Sequence, residues 1–153
     1  MLTYDDILAE ADHHNLTTKE KPLRAHKGLI AGRNIAIKAG LTERDKKCVL
    51  AEELGHYYTG AGDITDMCSM ANRKQEHHGR VYAYDKLVGL TGILDAYRHH
   101  CQSLSEAAEY LEVTEEFLAE SLSYYKSKYG ISVTVDNYVI YFEPTIAVLE
   151  LTD

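Results

Sequence analysis

The stretch from Thr42 to Gly62 constrains the fold more than any other part of the sequence. Thr42, with Asp45 three residues later, resembles a capping box in which Asp replaces the usual Glu or Gln. Gly60 and Gly62 close the run, so a helix is predicted from about 42 to 59. At about 100° per residue, Glu52 and His56 lie about 40° apart on that helix, with Cys48 and Val49 near their face. Leu50, Leu54, Tyr57 and Tyr58 cluster on the opposite side. That side is assigned to a core, and Glu52, Glu53 and His56 are left free to line a groove.

The remainder is periodic enough to build around this helix. Tyr4, Ile7, Leu8 and Ala11 are spaced for a short amphipathic helix over residues 3 to 15. After Pro22, two apolar runs separated by Gly-Arg-Asn predict a hairpin beginning near Gly28. Further helices are expected over about 72 to 88, from Ile93 to His100, from Ser103 to Leu111 and from Thr114 to Lys128. The alternation around Asp136-Asn137, from Val133 to Phe142, predicts a second hairpin. The expected fold is α+β: one domain over residues 1–153, mainly helical, with two short β-hairpins. The helix pair from Ser105 to Leu118 has the turn and apolar spacing of a helix-turn-helix unit.

Charge and cysteine usage exclude several classes. A net charge of −8 opposes general affinity for phosphate backbones or anionic membranes. The charge is uneven: residues 19–47 hold nine of the sixteen basic side chains, whereas residues 99–125 hold six glutamates and no Lys or Arg. Either these are two solvated faces, or the basic stretch is a lip beside a site. In the helix-turn-helix-like pair, Glu115, Glu116 and Glu120 would repel DNA, so the pair is expected to be packing scaffold or a protein-contact surface. No apolar run has the length of a membrane span. Cys48, Cys68 and Cys101 are too widely spaced for a CxxC pair, so a cytoplasmic protein with reduced thiols is expected, and Cys48 reads as a small buried residue.

Glu52-Glu-Leu-Gly-His56 resembles the zinc-protease pattern HExxH with its first histidine replaced. In that pattern the outer residues, four apart, reach one metal from one helix face, and the inner Glu takes a proton from water. A candidate third ligand, Glu76, follows twenty residues after His56 on the next predicted helix. Gly79 and Ala83 continue its face, and such small side chains would let the two helices approach closely. A plainer reading pairs Glu76 with Arg80 at i+4 as a solvent-exposed ion pair, and both can hold in part.

Ordered blocks of sequence carry a wider resemblance. They are Cys48-Val-Leu-Ala-Glu-Glu-Leu-Gly-His-Tyr-Tyr-Thr, then Gly62-Asp-Ile, Arg73-Lys-Gln-Glu and Ala83-Tyr-Asp-Lys-Leu. Ala108-Glu-Tyr-Leu-Glu-Val-Thr-Glu-Glu-Phe-Leu and Tyr125-Lys-Ser-Lys-Tyr-Gly follow. Together they resemble the ImmA/IrrE family of metallopeptidase-like proteins, in the small forms carried by mobile elements. The resemblance implies a zincin-like core in which Glu52, His56 and Glu76 hold a metal ion, usually Zn2+, with Glu53 as general base. It also implies a partner, a helix-turn-helix repressor that is cleaved or inactivated so that a prophage or conjugative element is derepressed. A non-catalytic antirepressor with a vestigial or structural metal site is the alternative.

Two positions depart from that pattern: Glu52 stands where a His ligand is usual, and Gly79 where family helices tend to carry Ala. With Glu52 and Glu76 both ionised, a zinc site would be neutral rather than positive. Slower hydrolysis, or tolerance of a harder ion such as Mn2+, is expected. His77 or His78 could assist at such a site, and Tyr57, Tyr58, Tyr82 or Tyr84 could donate to an oxyanion, although core packing is the commoner fate of tyrosines.

Overall fold

The computed structural model describes residues 2–60 and 70–152. The Gly62-Asp-Ile block, Gly62 as helix terminator and Cys68 lie outside the described residues. The architecture is α+β and mainly helical, with two three-stranded sheets. Helix α1, Tyr4–His13, begins at Thr3, whose side chain accepts from the Asp6 amide while the Asp6 carboxylate accepts from the Thr3 amide. Strands β1, Thr17–Lys21, β2, Gly28–Ala31, and β3, Asn34–Lys38, form the first sheet in the order β1-β3-β2. The β2–β3 hairpin is the expected one, with Ile30 opposite Ile35 in the core.

Helix α2, Glu43–Tyr58, is capped by Thr42, and helix α3, Met70–Leu87, packs across it. Helices α4, Gly89–Arg98, α5, Leu104–Leu111, and α6, Glu115–Tyr129, follow. Ser103 and Thr114 cap α5 and α6 by accepting from the amides of Glu106 and Phe117. Strands β4, Ser132–Val135, β5, Tyr138–Tyr141, and β6, Ala147–Glu150, form an antiparallel second sheet in chain order.

Three expectations need correction. Each sheet has a third strand where a hairpin alone was predicted: β1 pairs parallel to β3, and β6 pairs with β5. Both additions are edge strands, nearly all exposed, and are held through backbone hydrogen bonds that need no apolar alternation. Helix α4 starts at Gly89, not Ile93, because Gly92 packs inside the helix against Leu111. Helix α2 is not two-faced. It runs through the centre of the molecule with α1, α3, β2 and β3 around it, so Lys47, Glu53 and His56 are buried together with Leu50 and Leu54. Tyr58, assigned to the core side, is exposed and donates its hydroxyl to Glu10 at 3.1 Å.

Two tertiary ties fix α2 against the second half of the chain. The Lys47 ammonium, 2% exposed, donates to the Leu111 carbonyl at 3.0 Å, which satisfies the end of α5. Burial pushes the Lys47 pKa down, with Glu112 opposing that shift. Cys48 packs beside Thr114, and burial drives its thiol up to about 12. The expectation of a small buried cysteine holds.

Candidate functional site

Two glycines let α2 and α3 meet. A β-carbon on Gly55 would strike the Gly79 carbonyl oxygen and lie 3.0 Å from the Gly79 carbonyl carbon. A β-carbon on Gly79 would fall inside the van der Waals envelope of His56 Nδ1 and Cε1, and 3.0 Å from Cγ. The predicted close crossing is therefore present, and the imidazole of His56 occupies the space a larger residue at position 79 would need. Ala83, 0% exposed, continues the same small face into the core.

At this crossing His56 Nε2 donates to Glu76 Oε2 at 3.0 Å. The other Glu76 oxygen faces Arg80 Nε at 3.5 Å, so the i+4 ion pair forms, with its carboxylate half-buried rather than exposed. The hydrogen bond from His56, together with the charges of His56 and Arg80, holds the Glu76 carboxyl below the ordinary glutamate range. Burial pulls the His56 pKa down, but the Glu76 hydrogen bond and the charges of Glu53, Glu76 and Glu52 outweigh it, and the net shift is upward. His56 Nδ1 is buried with no hydrogen-bond partner among the described residues. An orphaned buried nitrogen costs about 1–3 kcal/mol. Such a cost is more readily understood where the ring serves a site than where it only fills a core.

Glu52, Glu53 and Glu76 line one cavity of about 310 Å³. Burial raises the Glu52 carboxyl to about 7, with Arg80 opposing and Glu76 adding to the rise. Burial raises Glu53 to about 7 as well, with His56 opposing. Gly28 places β2 directly against Glu53, since a β-carbon there would lie 2.5 Å from Val49 Cγ1 and 3.0 Å from Glu53 Oε1. The site thus joins one imidazole and three carboxylates on two helices beside a sheet edge. Among the described residues, no three His, Cys, Asp or Glu side chains are drawn together into a group arranged to hold a metal ion. His56 and Glu76 meet directly, and Glu52 shares a cavity with Glu76.

Other candidates are spent elsewhere. His77 and His78 are exposed, and the His77 ring lies against Tyr124 with centroids 5.9 Å apart. The Tyr84 hydroxyl donates to Glu120 at 3.3 Å, and Tyr57, Tyr58 and Tyr82 do not line the cavity. The sequence reading missed the wall that α6 supplies through Glu116, Phe117 and Glu120, whereas His26 and Lys27 fall in the basic stretch it raised as a lip beside a site. The uneven charge along the chain was the available signal. The basic stretch and the acidic stretch each contribute one side of this cavity.

No helix among the described residues is long and apolar enough to cross a membrane. A comparison with curated proteins finds no match. Residues 6–123 match the IrrE N-terminal-like domain of the peptidase M78 family. That match spans well over half of the chain and takes in both the helix of Glu52, Glu53 and His56 and the helix of Glu76. The chain is a member of the ImmA/IrrE family of metallopeptidase-like proteins.

Proposed function

We propose that this chain is a single-domain, zincin-like, metal-dependent endopeptidase of the cytoplasm that cleaves a helix-turn-helix repressor and so derepresses a prophage or conjugative element. The observation that carries the peptidase reading is the contact of His56 Nε2 with Glu76 across the helix crossing, with Glu52 and Glu53 in the adjoining cavity. The donor set fits a divalent cation: one imidazole nitrogen and two carboxylates are ordinary ligands for Zn2+, and the oxygen share also suits Mn2+. Glu52, His56 and Glu76 would hold the ion. When bound, such an ion polarises a peptide carbonyl and acidifies a water molecule.

The chain's own residues supply the rest. Glu53, held near 7 by burial, is poised to take up a proton near neutral pH and return it to the leaving amine. Among the described residues β2 is an outer strand of its sheet and Gly28 sets it beside Glu53, and an extended peptide can add to such an edge by main-chain hydrogen bonds. The α5–α6 pair, helix-turn-helix-like in its caps and spacing, carries acids that disfavour DNA, which suits a protein-contact surface. The repressor as partner rests on the family resemblance.

A second reading is a non-catalytic antirepressor that grips the same partner. It is favoured by Glu52 in place of a histidine and by the lack of a preassembled donor group among the described residues. The test is incubation of the purified protein with the repressor encoded beside it, with and without chelator, using wild type and Glu53→Gln. The peptidase reading expects chelator-sensitive cleavage that E53Q abolishes. Repressor relief that survives E53Q contradicts it and supports the antirepressor.

A further inference from the structure

We propose that the cavity selects a peptide carrying Lys or Arg beside the bond to be cut, and that Glu116 and Glu120 of α6 recognise that cation. The inference rests on the peptidase reading and sharpens its substrate class.

Charge balance comes first. The cavity is lined by six carboxylates, those of Asp45, Glu52, Glu53, Glu76, Glu116 and Glu120, against two permanent cations, Lys27 and Arg80. With every acid ionised the difference is −4, and a bound divalent ion would bring it only to −2. With Glu52 and Glu53 partly protonated the excess is smaller but still negative. Both cations are already engaged, Lys27 with Asp45 at 3.4 Å and Arg80 with Glu76 at 3.5 Å. Among the described residues Glu116 makes no ion pair, and Glu120 accepts only the neutral hydroxyl of Tyr84. An excess of negative charge therefore remains on the α6 wall after every internal pairing.

Shape supports the same occupant. Glu116 and Glu120 lie one turn apart on α6 and are exposed, while Phe117 between them is 4% exposed and lines the cavity. A Lys or Arg side chain has an apolar stem and a cationic tip, so its stem can lie within the cavity while its tip reaches the two carboxylates at the surface. A neutral apolar side chain would leave both acids unpaired, and an acidic one would be repelled. An independent sign that the cavity is built for a ligand is Glu53. It is 7% exposed, lines the same cavity, and has no hydrogen-bond or ion-pair partner among the described residues.

The test uses the full chain carrying E53Q, to prevent turnover, and three fluorescein-labelled hexapeptides identical except for Arg, Gln or Glu at the central position. Fluorescence anisotropy at low salt should show the Arg peptide binding about tenfold more tightly than the Gln peptide, with the Glu peptide weakest. Raising the salt should narrow the gap. Adding E116Q and E120Q should bring the Arg and Gln peptides to within about twofold of each other. Both residues are exposed on one helix, and circular dichroism checks that the variant is folded. Equal affinities for the three peptides, no binding of any of them, or an Arg preference that survives E116Q and E120Q overturns the inference. Wild-type protein given the same peptides separates the two claims. Cleavage without preference for Arg defeats the inference alone, whereas no cleavage of any peptide with Zn2+ or Mn2+ present defeats the peptidase reading.

Discussion

Replacing Gly79 by Ala tests the helix crossing on which the site depends. The new methyl would collide with His56 Nδ1 and Cε1, and His56 is 4% exposed, so its ring has little room to turn. Any turn breaks the 3.0 Å hydrogen bond to Glu76. Against this stands a gain of about 1 kcal/mol from Ala over Gly inside a helix. Overpacking costs about 1–3 kcal/mol, and losing a hydrogen bond to a carboxylate about 1.5–3 kcal/mol. The balance is a loss of about 3 kcal/mol, which at a slope of about 2 kcal/mol/M lowers the urea midpoint by about 1.5 M. Gly55→Ala should cost more, because its methyl meets the Gly79 backbone, which cannot rotate away. Gly92→Ala is the control: its nearest neighbour would be Leu111 Cδ2 at 3.4 Å, so it should be neutral or stabilising. The assay is urea denaturation of all three variants without added metal. A G79A midpoint equal to or above that of G92A would refute the reasoning.

Three further outcomes follow from the packing and the charges. Lys47→Met removes the ammonium that caps the Leu111 carbonyl, and should cost about 1–3 kcal/mol by urea denaturation, whereas an unchanged midpoint would show that carbonyl to be satisfied without it. Cys48, with its thiol near 12, should resist iodoacetamide at pH 8 and label only on unfolding, as read by peptide mass mapping; rapid labelling of the native protein would contradict its burial. The backbone and side-chain hydrogen bonds at Thr3 lower the Asp6 pKa, so its ionised form stabilises α1. That contribution is present above the unfolded value of about 3.9 and lost as the pH falls through the folded value. Wild type should therefore exceed Asp6→Asn in stability at pH 6, with the gap closing towards pH 3, and a gap that does not vary with pH would count against it.

What could be read from the sequence depended on whether a residue's partner was local. The α2 cap at Thr42 and the small face of Gly79 and Ala83 follow from neighbours a few positions away, and both are present. Glu76 was reachable because one spacing and one helical face brought it to His56. Strand β1, Thr-Thr-Lys-Glu-Lys, was not legible, because an exposed edge strand owes its place to its partner's backbone and carries no apolar signature. The burial of Lys47 was equally hidden: periodicity sends a lysine to solvent, and the carbonyl that receives it belongs to Leu111, far along the chain. The α6 wall was missed for the same reason. Its glutamates were visible as a charge run, but only the tertiary fold brings them to the cavity that His26 and Lys27 also line. Glu52 lines the same cavity as Glu53 and Glu76, and its raised pKa reflects burial first, with Glu76 adding to it.

The central claim is that Glu52, His56 and Glu76 together hold a divalent ion that Glu53 serves without ligating. Metal content of the desalted protein, measured by inductively coupled plasma mass spectrometry after incubation with Zn2+ or Mn2+, tests it most directly. The account predicts about one equivalent in wild type and in E53Q, and a loss of most of it in Glu52→Ala, His56→Ala and Glu76→Gln. Wild type without bound ion, or the three ligand variants retaining as much ion as wild type, would contradict it.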